Sequence, residues 1–320
     1  MTPAASLSRP LAGIAAGVRR VAEALATPLL PADYLDLLHP MRAGADLRGR
    51  VLAVDHETPT STTVTIRPGK GWRGHRPGQY TRIGVDVNGV RHWRAYSITS
   101  RAGDVITISA RAITGGVVSN HLLTRLRPGT LVMLDQATGD FTLPERIPER
   151  LLFLTAGSGI TPVIGMLRSH LDELTDVTVV HSAPDAPSMM FRGELERLHR
   201  SGRIRLVTRL TREEGILPAA AIGGVVPDWR ERHTWACGPT ALLDDAEAWW
   251  GDAGISERLH TERFRPRVVA VGEGGEVTFA RSGVTAEAAA GVPLLDIGES
   301  AGVLMPAGCR MGICFNCVLP

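Results

Sequence analysis

Three cysteines stand together near the end of this chain, in the run Cys309-Arg310-Met311-Gly312-Ile313-Cys314-Phe315-Asn316-Cys317. The C-x4-C-x2-C spacing lets three thiolates of one tight loop reach the same edge of an iron–sulfur cluster, and it is the ligand spacing of one class of 2Fe–2S centre. Gly308 and Gly312 leave room for backbone amides close to the sulfides. Zinc is the rival metal, although its sites more often pair two C-x2-C knuckles. A 2Fe–2S cluster takes four ligands, and Cys237, the remaining cysteine, lies far upstream in a different motif. The expectation is a cluster whose fourth ligand is absent from this chain, the sequence being cut short of a longer protein.

A second group is Arg94-Ala95-Tyr96-Ser97. A flavin needs an aromatic face beside its ring system, a hydroxyl near its reactive N5 and a cation for its pyrophosphate, and these residues supply all three. The same tetrad also reads as an ordinary strand with an exposed arginine. Its companion, Gly115-Gly116-Val117-Val118-Ser119, is a glycine turn running into a helix, where free N–H groups and the helix dipole favour phosphate. The alternative there is a plain helix start. A third group, Thr155-Ala156-Gly157-Ser158-Gly159-Ile160-Thr161-Pro162, joins an apolar strand to a helix, with Pro162 suited to the first turn. It lacks the third glycine of the dinucleotide fingerprint. Cys237-Gly238-Pro239 repeats the strand-to-helix passage further along. In an open α/β sheet, ligands bind at the carboxyl ends of strands, where both motifs fall.

The elements that must position these groups follow from periodicity. Residues 50–57, 61–67, 79–87 and 104–111 carry Val, Ile, Thr and Tyr in partial alternation. Asn88-Gly89 between two such runs is the preferred pair for a two-residue hairpin. Close-set strands before any long helix predict a small antiparallel barrel. From residue 150 strand and helix alternate: a strand at 151–155, a helix from 161 to about 174, and further units to residue 250. That pattern predicts a doubly wound parallel sheet with helices on both faces. The polar stretch 263–267 reads as a linker. Beyond it, residues 268–271 and 276–280 flank Gly272 to Gly275 as a second hairpin, followed by a helix near 294–300. The predicted organisation is a helical extension over 1–43, a barrel over 44–147, an α/β domain over 148–262 and a partial third domain over 263–320.

Composition excludes several classes. The 35 basic and 33 acidic residues leave a net charge of +2 with no basic cluster, which argues against a nucleic-acid binder. Clustered thiols without an export signal point to a reducing, cytoplasmic setting. No apolar run is long enough to span a membrane. Leu11, Ile14, Val18, Val21 and Leu25 recur on one helical face, which packs on the main body or serves as a peripheral membrane or partner contact.

In their order, R-x-Y-S, G-G-x-x-S, A-G-S-G-I-T-P, C-G-P and C-x4-C-x2-C resemble the ferredoxin–NADP reductase superfamily, and more closely its members that carry a C-terminal plant-type ferredoxin domain. The likeness spans about residues 44–320. The segment through Pro31-Ala32-Asp33-Tyr34-Leu35 resembles actinobacterial reductases that serve fatty-acid desaturases. The resemblance implies an antiparallel FAD-binding barrel, an NAD(P)-binding α/β domain and a partial β-grasp ferredoxin-like domain. It implies that Arg94 binds the FAD pyrophosphate, that Tyr96 flanks the flavin and that Ser97 lies near N5. Gly116, Val117, Val118 and Ser119 would hold the FAD phosphates. Gly157, Gly159, Thr161 and Pro162 would approach the dinucleotide pyrophosphate, while Cys237, Gly238 and Pro239 border the nicotinamide. Tyr96, Ser97 and Cys237 would then be the catalytic residues, and Cys309, Cys314 and Cys317 three of the four iron ligands.

The expected reaction is hydride transfer from NAD(P)H to FAD, then single electrons through the cluster to a redox protein such as a desaturase, an oxygenase or a cytochrome. A flavin belongs between the two because it accepts electron pairs and releases them singly. For the dinucleotide, His181-Ser182 follows a strand without an acidic residue directly at its tip. Ser182 and Arg192, with Arg209 and Arg212, could meet a 2′-phosphate, so NADPH is favoured over NADH, while Asp185 argues the other way. Two other readings stay open: a cluster-free flavin reductase, and a non-catalytic dinucleotide or redox sensor.

Overall fold

Alternation of apolar and polar side chains in the first half of the chain builds one antiparallel sheet. In the computed structural model, which describes residues 35–36, 38–42, 44, 46–264 and 273–305, its strands are β1 (Arg48–Thr58), β2 (Ser61–Pro68), β3 (Tyr80–Val87), β4 (Val90–Ser97), β5 (Ile106–Arg111) and β6 (Leu131–Leu134). They run in the order β4-β3-β6-β1-β2-β5. A bridge between Ile98 and Ile108 joins the end of β4 to β5 and closes the sheet on itself. Inside lie Val64, Ile66, Ile83, Ile98, Ile106 and Ile108, all fully buried. Helix α1 (Val117–Thr124) plugs this interior with Val118 and Leu122. The run Leu131–Leu134 is only four residues long, so sequence reading passes over β6 despite the Pro128-Gly129 turn before it, yet it is the strand between β3 and β1.

The hairpin at Asn88-Gly89 forms as expected, with Val87 paired to Val90 and φ values of 52° and 78° at the two turn residues. A Cβ added at Gly89 meets nothing within 4 Å, so substitution there tests backbone conformation alone. Gly89→Ala should lower the unfolding free energy by about 1 kcal/mol in urea titration, with an unchanged slope.

The second sheet is parallel: β7 (Arg150–Ala156), β8 (Asp176–Ala183), β9 (Arg205–Leu210), β10 (His233–Cys237) and β11 (Leu259–Glu262), in the order β11-β10-β7-β8-β9. Successive residues of β7 point to opposite faces. Leu151 and Phe153 pack with α2 (Ile160–His170) and α3 (Arg192–Arg200), while Leu152 and Leu154 pack with α4 (Thr240–Asp252) on the other side. Burial on both faces is why the strand reads as an unbroken apolar run. Helix α2 ends four residues before the expected position, because the N–H groups of Glu173 and Leu174 both turn back to the His170 carbonyl.

One arm of the hairpin expected around Gly272–Gly275, residues 268–271, lies outside the described residues. Strand β12 (Gly275–Phe279) pairs with β13 (Val284–Ala288), and the turn lies at 280–283, closed by Ser282 and Gly283 N–H bonds to the Phe279 carbonyl. The partner strand is rich in Ala and Glu, residues of low strand propensity, which hid it. Helix α5 (Leu294–Ser300) is where the sequence placed it. Residues 268–271, the amphipathic segment 11–30 and Cys309, Cys314 and Cys317 lie outside the described residues. Among the described residues no helix is long and apolar enough to cross a membrane, and no group of three or more potential ligands could hold a metal ion.

Candidate functional site

Strand β4 delivers Tyr96 and Ser97 to the seam between the two sheets. The Tyr96 ring packs against the barrel core, and burial raises its phenol pKa, partly offset by Arg94, so the ring stays neutral. Ser97 is buried at the wall of a cavity that it shares with Tyr96, Ser158, Thr161, Glu262 and Phe264. Thus residues from the end of β4, from the loop after β7 and from the end of β11 enclose one space, although nearly 170 positions separate the first from the last.

A cleft of about 620 Å³ continues from that cavity, with Arg111, Ser158, Arg263 and Phe264 lining both. Its floor is the loop Ala156 to Gly159 together with Gly238 and Pro239. Cys237 and Thr155 are register partners on neighbouring strands, so the two loops leave the sheet side by side. The contact is close: a Cβ on Gly159 would stand 2.0 Å from the Cys237 carbonyl oxygen. Helix α2 starts at this floor with no side-chain cap and no acidic residue in its first turn, so the positive end of its dipole faces the cleft uncompensated, while the Ile160 N–H is taken by the Gly157 and Ser158 carbonyls. Thr161 donates its hydroxyl to the Ser158 carbonyl at 2.9 Å and holds the turn, and Pro162 is buried behind it. The Arg111 guanidinium approaches Gly157 from the barrel side.

The other sequence-derived candidates take varied positions. Arg94 donates to the Trp93 carbonyl at 2.7 Å, on the strand before Tyr96. Gly116 caps α1 with no side-chain hydrogen bond, Val117 is exposed and Val118 faces the core. The Ser119 hydroxyl is turned back to accept from the Ile113 N–H at 3.4 Å. Cys237 is wholly buried beneath Gly159, and burial, with help from Glu262, pushes its thiol pKa up, so it is held as a neutral thiol. Ser182, one residue before the end of β8, pairs with Ala156 of β7. Arg192 pairs with Glu196 on its own helix at 2.6 Å, Arg209 with Glu214, and Arg212 with Asp185.

Among the wall residues that escaped the sequence reading are Arg111, Glu262, Arg263 and Phe264. The last two open the stretch 263–267 read as a linker, of which residues 265–267 lie outside the described residues. Arg263 forms ion pairs with Asp244 (2.9 Å) and Glu247 (2.8 Å) of α4, and this anchors Phe264 at the cavity. A lone aromatic within a run of arginines was the available signal. Glu262 is the notable group electrostatically: burial first, and Asp140 second, push its carboxyl pKa to about 7.

Comparison with known proteins agrees with this geometry. Residues 70–143 match the oxidoreductase FAD-binding domain, and residues 153–248 match the oxidoreductase NAD-binding domain. The chain is 47% identical over 312 residues to an NADPH oxidoreductase of Mycobacterium tuberculosis, covering 94% of this chain and 82% of that protein. It is 29% identical over 278 residues to the NADH oxidoreductase HCR of Escherichia coli, covering 84% of each. Among solved structures, a ferredoxin NADP+ reductase from Neisseria gonorrhoeae with bound FAD and NADP superposes with a TM-score of 0.61 at 25% identity, over 69% of this chain and 99% of that one.

Proposed function

The chain belongs to the ferredoxin–NADP reductase superfamily of FAD- and NAD-binding oxidoreductases, and from that premise we propose that it passes electrons from NADPH through FAD to a redox-protein acceptor. The observation that carries this reading is the single cavity walled by Tyr96 and Ser97 of the barrel and by Ser158 and Thr161 of the dinucleotide loop. Residues suited to a flavin and residues suited to a nicotinamide face the same space, as a direct transfer requires.

The donor set fits both groups. Tyr96 offers a neutral aromatic wall, Ser97 a hydroxyl and Arg94 a cation on the same strand. The loop Ala156 to Gly159 offers backbone N–H groups, and Arg111 adds a positive charge beside it. When bound, FAD supplies a carrier that takes a hydride as an electron pair and yields electrons one at a time. Ser97 orients the acceptor edge through its hydroxyl. Gly238 and Pro239 complete the cleft floor beside the dinucleotide loop, with Cys237 buried beneath it. Glu262, with its pKa near neutrality, is the wall group able to hold or give up a proton at its carboxyl oxygen over the working pH range.

NADPH is favoured by the name and 47% identity of the mycobacterial relative. Cys309, Cys314 and Cys317, with spacing suited to three ligands of a 2Fe–2S cluster, support a single-electron exit toward a desaturase, an oxygenase or a cytochrome. Iron and acid-labile sulfide assays on the purified chain test that extension, and absence of both removes it.

The core reading is tested by anaerobic mixing of the FAD-loaded protein with NADPH, followed by flavin absorbance. Rapid bleaching is expected, and Ser97→Ala should slow it about tenfold, within the range for losing one positioned hydrogen-bonding group. A protein that stays colourless after reconstitution with FAD overturns the reading; an unchanged rate in the Ser97 variant removes that residue's role.

A further inference from the structure

One face of α2 ties the dinucleotide loop to the flavin-side strand. Thr161, in the first turn, lines the shared cavity. Four residues on, Gly165 lies so close to the barrel that an added Cβ would stand 2.5 Å from the Ile98 carbonyl oxygen. Three residues further, Arg168 donates from Nη1 to the Thr99 carbonyl at 2.9 Å. Steps of four and three place these residues on one side of the helix, and Ile98 and Thr99 continue directly from Tyr96 and Ser97.

The rest of the Arg168 guanidinium is held from the other side. Its Nε and Nη2 donate to the two carboxylate oxygens of Glu194 on α3, at 2.9 and 2.6 Å. The same group lies 5.3 Å over the ring of Phe191, which takes a left-handed conformation, φ 57°, just before α3. A planar fork with five donors can make these contacts together; an ammonium cannot. One cation therefore joins α2, α3 and the backbone that leaves the flavin-side strand.

We propose that Arg168 is a positioning residue for hydride transfer, fixing the dinucleotide loop against the Tyr96-Ser97 strand, with Gly165 setting the approach and Glu194 the orientation of the guanidinium. The inference deepens, and rests on, the NADPH-to-FAD reading above. The barrel and the parallel sheet have separate cores, and two such bodies move relative to one another unless specific contacts hold them. Transfer tolerates little of that motion, because misplacement by about 1 Å can cost about 100-fold in rate.

The test uses Arg168→Gln and Arg168→Lys in the FAD-loaded protein, with two readouts. The first is amide hydrogen exchange without dinucleotide: segments 96–99 and 160–168 should exchange about tenfold faster in the glutamine variant, with β-barrel segments remote from α2 unchanged. The second is pre-steady-state flavin reduction, expected to slow about tenfold in Arg168→Gln while the NADPH KM stays within about twofold. Arg168→Lys should restore little of either. Unchanged exchange in the glutamine variant overturns the proposal, as does faster exchange with an unaltered reduction rate. Failure of the unmodified protein to be reduced by NADPH would instead tell against the hydride-transfer reading, and the exchange measurement would still decide whether Arg168 couples the two bodies.

Discussion

Replacing Gly159 by alanine is expected to lower NADPH-dependent flavin reduction by about 100-fold. The added carbon would lie 2.0 Å from the Cys237 oxygen, 2.4 Å from its carbonyl carbon and 2.8 Å from the Gly238 nitrogen. All three are backbone atoms at the end of β10, so no side-chain rotation relieves the clash. Either the dinucleotide loop or the Cys237-Gly238 segment must shift, and these two segments form the cleft floor. Overpacking of this kind also costs stability, about 1–3 kcal/mol. FAD content should remain near that of the unmodified protein, because the barrel has its own core. Stopped-flow reduction, dinucleotide titration and FAD content together check the expectation; an alanine variant with unaltered NADPH affinity and rate would show that the two loops are not held in contact.

Glu262→Gln should change how stability responds to pH. In the folded protein burial holds the Glu262 proton until about pH 7, whereas an exposed glutamate loses it near 4.5. Folding therefore takes up a proton between those values, and this residue's contribution to stability falls as pH rises from 4.5 to 7, then stays low. Glutamine has no such proton. The difference in unfolding free energy between variant and unmodified protein should grow in the variant's favour by roughly 2–3 kcal/mol between pH 4 and pH 8. Denaturant titrations at both pH values measure it. Flavin reduction should show an inflection near pH 7 that the glutamine variant lacks, since this carboxyl shares the cavity wall with Ser97. A pH-independent difference between the two proteins would mean that Glu262 titrates like an exposed carboxylate.

Both expectations concern residues that sequence reading treated very differently. Gly159 was visible because it sits in a short local pattern, strand, glycine turn and helix start, in which each residue type has a conformational reason. The same holds for Arg94-Ala95-Tyr96-Ser97 and for Asn88-Gly89. Glu262 and Phe264 had no such pattern around them. Glu262 ends an edge strand of four residues, β11, that carries neither a long apolar run nor a turn signal, and Phe264 lies two residues beyond it. Ser119 shows the converse: its place in a phosphate-binding pattern was plain, yet its hydroxyl is directed to the Ile113 amide.

What the chain determined by its own order is the set of cofactor chemistries it can support and the local elements that carry them, because spacing within a loop and periodicity along a strand are properties of neighbours in sequence. Only the folded arrangement decided which distant elements share a wall, that Arg168 bridges α3 to the backbone after Ser97 and that one carboxyl titrates near neutrality. Those outcomes depend on burial and on contacts made across the seam between two sheets, and solvent exclusion there is created by packing rather than by any one segment.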